Sequence, residues 1–105
     1  MQGVYLKLYV PQTVKHDGTL LYEWLLKQAH GMGIHGGSVF RAVACFGRHG
    51  RLHEEHFFEL AGDLPVTVEF FATDDAILKL LTLLKNEQIS LFYIKLPAEG
   101  AVTTD

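Results

Sequence analysis

A single cysteine, Cys45, stands in the chain, so no disulfide can form within it. That excludes a small secreted scaffold stapled by bridges and points to a reducing, cytoplasmic compartment. Excess positive charge is also missing. Nine lysines and arginines meet twelve aspartates and glutamates, for a formal net charge of −3. Without a basic face there is little counterion release to drive non-specific nucleic-acid binding, and no nucleic-acid partner is expected. No apolar run approaches the roughly 20 residues that a membrane-spanning helix needs. The opening Met1-Gln2-Gly3-Val4 has no charged segment leading into an apolar core, so no secretory signal is expected. Short-period repeats, low-complexity tracts and linkers are lacking as well.

What is there reads as one globular domain over residues 1–105, with 49% apolar and 20% charged residues. Such a chain can bury a real core, yet it is small enough that oligomerisation would add useful stability.

Hydrophobic periodicity predicts the elements. Val4 to Val10 alternates at period two and reads as a strand ended by Pro11. His16-Asp17-Gly18 is turn chemistry. Leu21, Trp24, Leu25, Ala29 and Met32 share one face of a helix from Leu20 to Met32, with Thr19 as its N-cap. Gly31, Gly33, Gly36 and Gly37 end it. Ser38 to Phe46 is apolar on both sides apart from Arg41, which predicts a central strand covered on two faces. Cys45 lies in that strand as a buried, inert thiol. Leu64 to Ala72 predicts a third strand. Thr73 or Asp74 caps a second helix with Ile77, Leu80, Leu81 and Leu84 as its buried stripe. Ser90 to Leu96 predicts the last strand, with a short polar tail from Pro97 that is loose at its end.

Strand, helix, strand, strand, helix, strand is the βαββαβ order of an α+β, ferredoxin-like fold: a four-stranded antiparallel sheet with two helices on one face. The other face, with Tyr5 and Tyr9, is too apolar to sit in water. Its simplest cover is a second copy, and a ring of three is the favoured form.

The stretch Cys45 to Phe58 is the densest in chemistry. Gly47 and Gly50 allow converging backbone N–H groups, a nest for phosphate. Arg48 and Arg51 add bidentate charged donors. A solvated loop whose glycines only make turns is the plainer reading of the same residues. His49, His53 and His56, with Glu54 and Glu55, hold enough ligand types for zinc, although their spacing matches no metalloenzyme signature. Adjacent histidine and glutamate also suggest acid–base catalysis, but nothing shows that they meet, and no convincing catalytic constellation emerges. His16, His30 and His35 read as structural or exposed, and Trp24 as core.

These residues resemble a bacterial family of unknown function, domain of unknown function 190, described as PII-like. The resemblance rests on Leu6-Lys7-Leu8-Tyr9-Val10, His16-Asp17-Gly18, Leu21-Tyr22-Glu23, Gly36 to Gly47, Gly50-Arg51-Leu52-His53 and Asp63 to Glu69. It implies a ferredoxin-like fold and a trimer; the expected role is regulatory, with a metal-binding trimer using His49, His53 and His56, or a small enzyme on the same fold, as the alternatives. A more distant likeness to PII signalling proteins lies in Phe46-Gly47-Arg48. There, a Gly-Phe-Gly-Arg run borders a nucleotide site between subunits and leads into a mobile recognition loop. The likeness implies that Arg48 contacts phosphate and that Gly47 allows its close approach; Arg41, Phe46, Gly50 and Arg51 complete the expected ligand site. It implies that residues 47–62 form the recognition loop. Two departures stand out: Asn86 to Ser90 lacks the glycines and added charge of the PII phosphate-wrapping segment, and Pro97 to Gly100 lacks its basic C-terminal loop. The implied ligand is an adenine nucleotide, another phosphate-bearing molecule or another small anion. The implied partners are copies of the chain and a further protein, by analogy a membrane transport protein.

Overall fold

A computed structural model describes residues 1–46 and 64–104. Strand β1 (Gln2–Pro11) leads into a two-stranded ribbon, β2 (Lys15–His16) and β3 (Thr19–Leu20). Helix α1 (Leu21–Gly31) follows, then β4 (Gly37–Arg41), β5 (Pro65–Ala72), α2 (Asp74–Asn86) and β6 (Tyr93–Glu99). The main sheet is antiparallel in the order β4-β5-β1-β6. This is the α+β, ferredoxin-like arrangement that the periodicity predicts, elaborated by the small ribbon.

Alternation sets the faces. Val4, Leu6, Leu8 and Val10 of β1 meet Val66, Val68, Phe70 and Ala72 of β5 on one side of the sheet. Leu21, Leu25 and Ala29 of α1 and Ile77, Leu80 and Leu84 of α2 close over them. Leu6, Leu8, Leu25, Ile77 and Leu80 are fully buried. Truncating any of these leucines to alanine would cost about 2–5 kcal/mol, as lost burial plus a residual cavity. Leu81 and Trp24 pack on the rim of this core, half-buried.

Both helices end in the same way. In α1, Gly33 (φ +88°) donates to the His30 carbonyl and Ile34 to the Ala29 carbonyl, a Schellman closure. In α2, Gln88 (φ +59°) donates to Lys85 and Ile89 to Leu84, the same closure without a glycine. At its start, Thr73 Oγ1 accepts from the Ala76 N–H at 3.2 Å, so Thr73 is the N-cap.

Four expectations need correction. First, Thr19 does not cap α1. Asp17 and Gly18 both have positive φ, the signature of a type I′ hairpin turn, so Thr19 and Leu20 join a ladder against Lys15 and His16. Leu20 takes the cap position, without a side-chain bond. Second, β4 stops at Arg41 and lies at the sheet edge, not its centre. Its neighbour β5 begins at Pro65, and the Ala42 N–H to Pro65 carbonyl bond ends the pairing. Val43 is 94% exposed. Third, Cys45 therefore lies outside the strand and is only half-buried. Fourth, the last strand is shifted towards the C-terminus. Pro97 pairs with Val4 inside β6, where an edge position needs no donor from it. Beyond the strand, Gly100 is tied to Met1 through both backbone groups.

Candidate functional site

The sheet face away from the helices is built by the other half of the alternation. β1 contributes Tyr5, Lys7 and Tyr9, and β5 contributes Thr67, Glu69 and Phe71. β4 adds Phe40, and β6 adds Ile94 and Leu96. Neither helix packs on this side, and Phe40 is 55%, Leu96 50% and Ile94 37% exposed. Near its centre, the Tyr5 hydroxyl donates to Glu69 Oε1 at 2.7 Å and the Thr67 hydroxyl to Glu69 Oε2 at 3.0 Å. The hydrogen bond to the Glu69 carboxylate, with burial and that same negative charge, pushes the Tyr5 phenol up to about 12. Lys7 Nζ lies 5.5 Å above the Tyr9 ring.

At one end of β4 an open cleft of about 650 Å³ runs over the part of β5 that β4 does not reach. The loop Gly33 to Gly36, Phe40, Phe71 and the Tyr5–Glu69 pair line it. Its walls are mainly apolar, and no arginine among the described residues reaches it. Arg41 sits at the opposite end of β4, opposite Val66, and Phe46 lies beyond it, 64% exposed. The structure therefore does not bring Arg41 and Phe46 to this cleft. Gly47, Arg48, Gly50 and Arg51 lie outside the described residues, as do the histidines His49, His53 and His56.

Sequence reasoning missed two polar clusters. The trio Tyr5, Thr67 and Glu69 was legible in principle: each residue is an outward position of a predicted strand, but the register that joins them was not. The second cluster is His16, Asp17 and Glu87, whose ligand-type atoms all lie within 4.8 Å of one another. The Asp-Gly turn signalled the first two, and nothing in the sequence linked them to the end of α2.

Comparison with known proteins fixes the family. Residues 3–90 match the family DUF190, described as "Uncharacterized ACR". The chain belongs to this family. Curated relatives carry the name UPF0166 protein. One from Aquifex aeolicus is 28% identical over 90 residues, covering 86% of each chain. One from Methanocaldococcus jannaschii is 30% identical over 76 residues, covering 72% of this chain and 69% of the relative. Among solved structures, a Thermus thermophilus protein described as a PII-like signaling protein superposes with a TM-score of 0.62 at 12% identity. The match covers 93% of this DUF190 chain and 87% of the other. The likeness is one of fold.

Proposed function

We propose that this DUF190 protein is a regulatory, non-catalytic PII-like protein. In this reading residues 1–105 form one cytoplasmic domain that assembles as a trimer. A small anionic ligand, an adenine nucleotide or another phosphate-bearing molecule, binds in a cleft formed between subunits, apart from the open cleft beside Tyr5 and Glu69. The observation that carries the reading is the likeness of the fold, over nearly the whole chain, to a protein described as PII-like. The apolar sheet face supports the assembly, because Phe40, Ile94 and Leu96 lie exposed together on a surface that both helices leave bare. Arg41, Phe46, Gly47, Arg48, Gly50 and Arg51 form the ligand site, with Arg48 on phosphate, and residues 47–62 present the ligand state to a protein partner. By analogy with PII regulators that partner is a membrane transport protein.

The test is a thermal-shift panel of adenine nucleotides and inorganic phosphate on the native oligomer. A ligand that binds only the folded state raises Tm by mass action, by about 2.7 kcal/mol of added stability at a hundred times its Kd. Arg48→Ala should abolish the shift. A panel without any shift, or a shift that survives Arg48→Ala, overturns the phosphate site.

A further inference from the structure

We infer that His16, Asp17 and Glu87 form a binding site for one divalent transition-metal ion of the zinc class. This rests on the geometry of three side chains and is independent of the regulatory reading above.

The three ligands come from two separate elements. His16 ends β2, Asp17 opens the hairpin turn, and Glu87 is the C-cap of α2. His16 Nε2 lies 3.0 Å from Glu87 Oε1 and 3.6 Å from Asp17 Oδ2. Two ligands on a tetrahedral zinc ion, each at about 2.0–2.1 Å, stand about 3.3 Å apart. The imidazole-to-carboxylate spacings bracket that value, so the set closes around an ion with small side-chain rotations. One imidazole and two carboxylates are ligands that zinc accepts, and a three-residue set leaves a fourth position for water.

The imidazole is also held in place. Its ring meets Trp24 edge-on, with centroids 4.6 Å apart and planes at 67°, and only a fifth of the side chain is exposed. Packing on Trp24 fixes which nitrogen faces the carboxylates. In the metal-free form Nε2–H donates to Glu87. With the ion bound, the ring carries its proton on Nδ1 and Nε2 offers its lone pair.

One local choice runs against stability unless a cation is present. Glu87 sits at a helix C-terminus, where the last carbonyls already carry partial negative charge and a carboxylate is unfavourable. Asp17 suits its hairpin turn, and that turn brings a second carboxylate to the same imidazole. Both therefore add negative potential at one point, and a bound cation offsets all of it. A protonated His16 would offset only part, with one positive charge against two carboxylates.

The experiment uses the full chain, without a histidine tag and freed of metal by chelation, titrated calorimetrically with Zn²⁺ alone. One ion per chain is expected. Asp17→Asn keeps a residue that tolerates positive φ, and Glu87→Gln keeps an oxygen that can accept from His16, so both should leave the urea midpoint of the metal-free protein near wild type. Each should weaken Zn²⁺ binding at least tenfold. The variant with His49, His53 and His56 all changed to alanine should bind as wild type. The site is overturned if the wild type binds no Zn²⁺, if Asp17→Asn and Glu87→Gln bind it unchanged, or if the triple alanine variant loses the ion.

Discussion

Tyr5 shows how much one hydrogen bond on the sheet face can set. Its phenol donates to a carboxylate, so losing the proton would leave two negative groups in contact. In the unfolded chain a tyrosine ionises near pH 10, whereas folded Tyr5 holds its proton up to about 12. Through that window the unfolded state has lost a proton that the folded state keeps. The contribution is fully present below about pH 10 and is lost as the pH rises through about 12. Comparing urea midpoints of wild type and Tyr5→Phe from pH 9 to 12 isolates the effect. The wild-type advantage should shrink steadily across that range, and parallel curves would show that Glu69 does not hold the phenol.

At the scale of elements, α2 carries a defect that substitution can repair. Gln88 occupies the left-handed position of a Schellman closure, where a Cβ costs roughly 1–2 kcal/mol. Gln88→Gly removes that cost but adds freedom to the unfolded chain, so a net gain of about 0.5–1 kcal/mol is expected. A rise in the urea midpoint at unchanged slope would measure it; a fall would mean that the glutamine side chain makes a compensating contact. The glycine that the equivalent place in α1 does have, Gly33, was legible as a stop signal. Element types and order were legible throughout, because Val4 to Val10 alternates and Ile77, Leu80 and Leu84 recur at helical spacing. Boundaries were less so. Ser38 to Phe46 is apolar enough to be a central strand, yet Pro65 on its partner ends the ladder at residue 41 or 42, a constraint written in another segment. Thr19 looks like a cap until the two positive-φ residues before it commit it to a hairpin. The clusters around Glu69 and Glu87 stayed hidden for the same reason: they depend on register and on docking between distant segments, which period alone does not encode.

For the whole molecule the bare sheet face makes the sharpest prediction. Leu96 and Phe40 lie on opposite edge strands of that face, half-exposed. Light scattering of the wild type should give the mass of three chains. Leu96→Glu and Phe40→Glu each place a charge where apolar contact is expected, and should shift the mass to one chain while far-UV circular dichroism stays unchanged. A wild type that is already monomeric removes the trimer and any ligand site between subunits.

The sheet order has a consequence for synthesis. Strand β1 is the first part of the fold to leave the ribosome, yet both of its neighbours, β5 and β6, are made only after residue 64. Until then Val4, Leu6, Leu8 and Val10 have no strand to pair with and no α2 to cover them. The contacts that stabilise the sheet are therefore long-range in sequence, which slows closure and exposes an unpaired apolar strand while the chain is incomplete. Truncated nascent chains ending before β5 are consequently expected to be sticky and to need chaperone protection, whereas the finished chain encloses that strand between two neighbours.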